Sequence, residues 1–267
     1  MSGTQLAVWI MFAAILALLT VNVWLIAHWM QQQRLSSRER AFWVLCQPAS
    51  PAVERERAFR QLVAEGNKEW RSADLHELNL AGIACPGADL QGAMFVRSTL
   101  VGANLARARF CSGSLEQADL SNADLTQADL SETQMLRAVL KKSNLRRARL
   151  RAASIEQVQA ENADLMLADL SDANCLMANL TGAKLDGANL SGARLESAVL
   201  KGASLSLTRL DAANLKDADF TNANWWRARG LRTDQIGFLK QKFAPTDDAD
   251  PTSRRDYKKW LGESDRN

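Results

Sequence analysis

The sequence has few of the side chains from which catalytic and metal sites are usually built. Two histidines and four cysteines occur in 267 residues. The cysteines fit no metal-ligand spacing: Cys46, Cys85, Cys111 and Cys175. We therefore expect no metal, no cofactor and no histidine-centred catalytic site. Thiols this far apart in the sequence suit a reducing compartment.

Large rings are scarce as well, at 6% of the residues with a single tyrosine, although eight tryptophans are present. The tryptophans avoid the middle of the chain: Trp9, Trp24, Trp29, Trp43, Trp70, Trp225, Trp226 and Trp260. A long central segment must therefore build its core without large rings. The formal net charge of +3 is too small to predict nucleic acid or a strongly acidic molecule as the partner.

The chain does have one long apolar run, close to its first residue. Residues 6–30 carry no formal charge, and as a helix they would extend roughly 37 Å, enough for a bilayer core. A cleavable signal peptide would need basic residues before the run and a small-residue cleavage site after it. Neither is present, so we predict a retained transmembrane anchor over residues 5–30.

The segment that follows, residues 31–72, is basic at its start and then helical in pattern. By the positive-inside rule, Arg34, Arg38 and Arg40 place the rest of the chain in the cytoplasm. We therefore expect a single-pass protein of the inner (cytoplasmic) membrane. Apolar residues at helical spacing over 53–65 predict an amphipathic helix, which with the other juxtamembrane residues would form the N-terminal cap of the segment that follows.

Residues 73–229 keep an unbroken period of five. Of the 31 positions divisible by five between Leu75 and Trp225, 22 are leucine and all are apolar. Two residues before each of them, 23 of the 31 positions are alanine, and Asp or Asn usually stands between the two. Neither the 3.6-residue period of a helix nor the two-residue period of a strand keeps such a frame on one face.

This A(D/N)LXX pattern resembles the pentapeptide-repeat family. The resemblance implies an all-β repeat solenoid, a right-handed quadrilateral β-helix with one pentapeptide per side and about seven to eight coils. The residues agree, because a narrow tube has room for one large and one small side chain per side. Two exchanges of the large and small positions keep the total volume: Ile83 with Cys85, and Val158 with Ala160. A core filled in this way leaves no substrate pocket, so we predict that the protein is not an enzyme.

Function is then expected on the outside of the rod, where two groups of residues are candidates for partner binding. Positions 20 apart share a side, and one side collects apolar residues at outward positions: Met94, Val96, Leu136, Leu176 and Met177. Met166, Leu167 and Leu207 add apolar sites on another side. Within about one coil lies a basic girdle: Arg137, Lys141, Lys142, Arg146, Arg147, Arg149 and Arg151. The alternatives are scattered surface aliphatics and a solvated belt paired with acidic neighbours.

Two further segments follow the repeat. Residues 230–243 are predicted to form a C-terminal capping helix, with Thr233 as its N-cap. Residues 244–267 are predicted to be a flexible tail, and the alternative for their basic part, 254–261, is a short docking motif.

The leading functional hypothesis is a membrane-anchored cytoplasmic scaffold of a bacterium that binds an unidentified protein partner and no nucleic acid, with homodimerisation as a further alternative. Residues 5–30 would hold it in the membrane. The alternative is a DNA-mimicking binder of DNA gyrase or topoisomerase, since some proteins of the family present a strongly acidic rod to gyrase. Between residues 73 and 229, 18 acidic residues nearly balance 17 basic ones, which disfavours that alternative.

Overall fold

A computed structural model describes residues 36–47, 49–246 and 249–264. A short 3-10 turn at Trp225–Arg227 marks the end of the solenoid. The other elements follow the chain in this order: helix α1 Ser37–Leu45, helix α2 Ala52–Ala64, the solenoid, helix α3 Thr233–Phe243 and helix α4 Pro251–Ser264.

The transmembrane helix predicted over residues 5–30 lies outside the described residues. Within the three ranges just given, no helix is both long enough and apolar enough to cross a membrane. The anchor therefore stays a prediction from the sequence.

Each coil of the solenoid takes 20 residues. Parallel bridges join the middle residue of one side to the residue 20 further on, beginning with Glu69 and Asp89 and ending with Arg209 and Arg229. These are single bridges, because a side of three residues is too short for an extended strand. The four-sided β-helix with one pentapeptide per side is thereby confirmed, and its 31 repeats make close to eight coils.

Every corner of the solenoid uses one residue in the left-handed backbone region. The second corner residue of each repeat, from Ser72 to Asn222, has a positive φ at all 31 positions, and only eight of these residues are glycine. At 29 of the 31 corners, all but those before Leu78 and Val158, the next residue then donates its N–H to the carbonyl three positions earlier, as Ala123 does to Leu120 at 3.1 Å. This is the backbone pattern of a type II turn. A positive φ favours glycine, yet other residues adopt it at 23 corners. Hydrogen bonds to the coils on either side hold each corner in this conformation.

The interior is filled by the two apolar columns that the repeat predicts. The leucine and alanine columns are almost entirely buried, as are both exchanged pairs. The few hydroxyl groups that stand in the alanine column are also paired. Ser98, Thr133 and Thr208 each donate to a main-chain carbonyl of the preceding coil, at 2.6 to 3.2 Å. Pairing removes most of the penalty of burying a hydroxyl, so these substitutions leave the tube intact.

Helix α2 closes the N-terminal edge of the solenoid with two arginines. Each coil normally satisfies the carbonyls of the next one with its N–H groups, and no coil precedes the first. The buried Arg55 donates instead to the Asp74 carbonyl at 2.5 Å. Arg60 donates to the carbonyls of Asn79 at 2.9 Å and Ala81 at 3.2 Å. The guanidinium groups thus replace the N–H donors that the edge lacks.

Aromatic rings complete the same seal. Trp70 is buried at the start of the first coil, with its ring centroid 4.4 Å from that of Phe59 on helix α2 and 6.2 Å from that of Phe42 on helix α1. Helix α1 begins with a capping box in which Ser36 and Glu39 exchange hydrogen bonds.

Helix α3 covers part of the C-terminal edge. Gln235 Nε2 donates to the Ala213 carbonyl at 3.1 Å, in place of the N–H that a further coil would supply. Trp225, the last residue of the large column, is fully buried and donates its Nε1 proton to the Phe243 carbonyl at 2.9 Å. The ring centroids of Phe220 and Phe243 lie 6.1 Å apart, so helix α3 also packs against a second side.

Residues 251–264, predicted to belong to a flexible tail, form helix α4 instead. Asp256 accepts a hydrogen bond from Trp226 Nε1 at 2.8 Å and makes an ion pair with Arg227. The buried Tyr257 ring lies 5.0 Å from the Trp226 ring, centroid to centroid. The tail prediction was wrong for this helix because its ordering contacts are made to the end of the solenoid, which no local pattern displays.

Candidate partner-binding surface

The apolar residues predicted to share one side lie at one corner of the rod and on the face beside it. Val96, Leu136 and Leu176 take the first corner position in every second coil and are half-buried. Met94 lies on the adjoining face and is 43% exposed, while Met177 takes the second corner position and is 54% exposed. Met94 and Met177 are about four coils apart, roughly 20 Å, so they do not form one patch.

The corner that holds these residues is not a continuous apolar stripe. Leu136 and Leu176 are two coils apart, roughly 10 Å, and each is flanked by a carboxylate. The Glu156 carboxylate lies between the two leucines, and a hydrogen bond from Asn174 Nδ2 holds it at the corner. The intervening coils carry glutamate at the same position: Glu116, Glu156 and Glu196.

The seven residues of the basic girdle surround a single coil, so they do not form a patch on one face. They are distributed over all four corners and one side of that coil, and Arg137 Nε donates to Gln157 Oε1 at 2.8 Å. Within the described residues, Lys142 and Arg147 make no ion pair, and both are exposed at neighbouring corners. Three other girdle residues pair with the next coil: Lys141 with Glu161 at 3.5 Å, Arg146 with Asp164 at 3.3 Å and Arg151 with Asp172 at 3.9 Å.

Formal charge alternates in sign from coil to coil along the first five coils. Residues 73–92 hold three acidic and no basic residues, and 93–112 hold three basic and no acidic ones. Residues 113–132 hold five acidic residues, 133–152 hold seven basic residues and 153–172 hold five acidic residues, none with a residue of the opposite sign. Opposite charges therefore face each other at every boundary between these coils, and their fields cancel over distances longer than the coil spacing.

The most exposed leucines lie at a different corner, together with a glycine. Leu167 is 49% exposed and Leu207 is 56% exposed, and they occupy the same corner position two coils apart. Between them stands Gly187, over which the Leu167 side chain leans, with its Cδ2 atom 2.7 Å from the point that a Cβ would occupy. We call Leu167, Gly187 and Leu207 the leucine ridge. The sequence pointed to these leucines individually, but the contact over Gly187 depends on the stacking of coils.

Three cysteines of the solenoid, Cys85, Cys111 and Cys175, lie in surroundings that are unfavourable for a nucleophile. Burial raises the pKa of the Cys85 and Cys175 thiols to about 12. Burial also raises the pKa of Cys111, together with a hydrogen bond to the Asp129 carboxylate. A thiol with a raised pKa is a poor nucleophile. Among residues 36–47, 49–246 and 249–264, no group of three histidine, cysteine or acidic side chains could hold a metal ion.

A family model described as pentapeptide repeats (eight copies) matches residues 73–110, 118–157, 148–187 and 188–227, together more than half of the chain. The chain belongs to the pentapeptide-repeat family. The four α-helices lie outside the matched residues, so the family accounts for the coils and not for what closes their ends. No curated protein matches the chain.

Several solved pentapeptide-repeat structures resemble this chain. HetL, involved in heterocyst differentiation regulation in the cyanobacterium Nostoc, is 28% identical, with 62% of this chain and 94% of HetL covered and a TM-score of 0.29. A protein from the Arabidopsis thaliana thylakoid lumen is 25% identical, with coverages of 50% and 88% and a TM-score of 0.31. QnrB1, a plasmid-mediated fluoroquinolone resistance protein, is 17% identical, with coverages of 69% and 96% and a TM-score of 0.32.

On this pentapeptide-repeat solenoid, the leucine ridge lies at the same corner as the unpaired Arg147. The second corner position reads Arg147, Leu167, Gly187 and Leu207 in four successive coils, and Arg227 of the terminal 3-10 turn follows 20 residues after Leu207. Two exposed leucines are thus flanked by an arginine at each end, and Arg227 is already paired with Asp256. Most second corner positions of the solenoid hold glycine or a polar residue, so the two exposed leucines depart from the pattern of this repeat.

Proposed function

We propose that the protein is a membrane-anchored cytoplasmic scaffold, with no enzymatic activity, which binds a protein partner on the outer faces of its solenoid. The leucine ridge carries the proposal, because two half-exposed leucines at one corner, two coils or roughly 10 Å apart, favour burial against another molecule. The filled core supports it, since a tube packed with leucine and alanine side chains offers a partner only its outside. The uncharged run over residues 6–30 supports the anchor and the inner membrane as its location.

The composition of the ridge indicates the chemistry of the partner. Apolar residues at the centre of an interface commonly contribute most of the binding energy, and charged residues at its rim contribute specificity. Leu167 and Leu207 would form the centre, and the exposed Arg147 and Lys142 would lie at the rim. A partner with an apolar patch bordered by an acidic group fits this surface best.

Partner binding can be tested on the full chain in isolated inner membranes. A photo-activated cross-linking residue at position 167 is expected to join the chain to one reproducible protein. For the double variant Leu167→Asp and Leu207→Asp, the cross-linker is placed at position 147. Its cross-linking yield is expected to be at least tenfold lower than that of the otherwise unchanged chain with the cross-linker at position 147. Aspartate tolerates the left-handed backbone at both positions, so the variant should stay folded.

The matched control is Met177→Asp, at an equally exposed corner residue away from the ridge. It should leave the cross-linking yield unchanged. Recovery of the chain in the soluble fraction after cell disruption would contradict the anchor. An unchanged yield in the double variant would contradict the ridge as the binding surface.

The DNA-mimicking alternative is less well supported by the surface. A mimic of duplex DNA needs a continuous acidic rod, whereas residues 133–152 encircle the solenoid with seven basic residues. We therefore expect that micromolar amounts of the full chain leave DNA supercoiling by gyrase unchanged, and that they give no protection against a quinolone. Inhibition or protection in a supercoiling assay would favour the alternative.

A further inference from the structure

The last coil leaves main-chain donors unused on one side, and these donors face a groove. On this side of the rod, seven successive coils each use two N–H groups to hold the next coil. The first belongs to the large core residue and the second to the second corner residue, as Leu195 donates to Asn214 and Ser197 donates to Lys216. All fourteen of these hydrogen bonds are between 2.7 and 3.0 Å long.

In the eighth coil the equivalent donors are the N–H groups of Leu215 and Asp217. Neither makes a hydrogen bond to any of the described residues. Helix α3 replaces one part of the missing coil, because Gln235 Nε2 donates a hydrogen bond to the Ala213 carbonyl. The edge is therefore closed at the Ala213 carbonyl and open at Leu215 and Asp217 immediately beyond it.

A groove of about 370 Å³ lies along this open edge. One wall is the last coil, residues 212–217, and the other is the start of helix α3. Phe238 and Leu239 give the second wall an apolar surface, and Phe238 is 41% exposed. Beside them, Arg232 and Asp234 pair with each other at 3.0 Å and make the mouth of the groove polar.

We propose that this groove binds a short extended peptide of a partner protein, which adds to the solenoid as one side of a further coil. The carbonyls of two peptide residues, with one residue between them, would accept hydrogen bonds from the N–H groups of Leu215 and Asp217. Strand addition of this kind gives the unpaired main-chain donors their acceptors, and alternate side chains of the peptide then contact the protein and determine its specificity. An apolar side chain between the two carbonyls would contact Phe238.

Another copy of this chain is a poorer occupant. Parallel stacking of a second copy would require its first coil, but Arg55, Arg60 and Trp70 already cover that edge. The groove lies at the end of the rod and apart from the leucine ridge, so this proposal goes beyond the scaffold function, and either can fail without the other.

The probe is a phage library of random octapeptides, panned against the full chain in detergent micelles. We expect enriched peptides with an apolar residue at a constant position and at least tenfold weaker binding to Phe238→Asp. Met177→Asp is the matched control, since it also places an acid at an exposed apolar position, and it should bind the peptides normally.

Hydrogen exchange provides a second measurement that does not depend on the variant. The amides of Leu215 and Asp217 should exchange rapidly in the free protein and at least tenfold more slowly with bound peptide. The amides of Leu195 and Ser197 should be protected in both states. The proposal is overturned by a failure to enrich any peptide, by equal binding to Phe238→Asp, or by unprotected amides in the complex. Self-association that Phe238→Asp abolishes would also overturn it, because the occupant would then be a second copy.

Discussion

Leu120→Ala is expected to lower the free energy of unfolding by about 2–5 kcal/mol, the range for a buried leucine whose cavity cannot collapse. Leu120 is fully buried, and its coil is hydrogen-bonded to the coils on both sides, so the backbone cannot close the gap. Adding Ala118→Val should recover at least about 1 kcal/mol of this loss, since volume-conserving exchanges are tolerated best. Two coils further on, Val158 and Ala160 show the same exchange on the same side. Urea unfolding followed by far-ultraviolet circular dichroism measures all three proteins.

The single variant Ala118→Val is the informative control. By itself it adds volume to a filled tube and should cost about 1–3 kcal/mol. If each side of the tube requires a constant volume, the double variant must be more stable than the sum of the two single effects predicts. Additive losses would show that the identity of the residue at each position matters, and not the total volume. Gln117→Asn, at an exposed corner, should stay within about 0.5 kcal/mol of the original protein.

Trp225→Ala is expected to cost about 3–5 kcal/mol and to release both C-terminal helices. The indole is fully buried, donates to the Phe243 carbonyl of helix α3, and lies 5.8 Å from the Tyr257 ring of helix α4, centroid to centroid. Its removal takes away the contact that the two helices share. Limited proteolysis should then cut within residues 228–250 at a rate at least tenfold above that of the original protein.

Trp260→Ala is the matched control for this cap. Trp260 belongs to the same aromatic cluster, with its ring centroid 5.5 Å from that of Trp225, but it is only partly buried. Its loss should loosen helix α4 and leave helix α3 in place, at about half the cost or less. Equal proteolysis of the Trp225→Ala protein and the original would contradict the role of Trp225 as the shared contact. Loss of stability is expected to spread from this end, because each coil contacts only its neighbours.

The candidate surfaces were only partly accessible to sequence reasoning. The girdle was predicted as a set of residues around one coil, and it surrounds one coil. The alternation of acidic and basic coils could have been found by counting charges in windows of 20 residues, because the coil length sets the window. The 20-residue spacing places the apolar residues on one side of the rod, but a period of 40 puts Glu156 between Leu136 and Leu176, so they form no continuous stripe.

The sequence by itself determined the solenoid. The five-residue period predicted which residues fill the core, since it repeats one large and one small apolar position in every side. The resemblance to the pentapeptide-repeat family implied the four sides and the coil of 20 residues. Little further information is needed, because each repeat is hydrogen-bonded to its equivalents 20 residues before and after, and these carry the same pattern.

Only the tertiary structure decided what happens where the period stops. Three features depend on residues outside the repeat pattern. They are the hydrogen bonds from Arg55 and Arg60 to the first coil, the packing of helix α4 through Asp256, and the unpaired N–H groups of Leu215 and Asp217. At each end, one set of main-chain groups loses its partner, and whichever side chain can reach them takes its place. Such contacts join residues far apart in the sequence, and they leave no periodic signal.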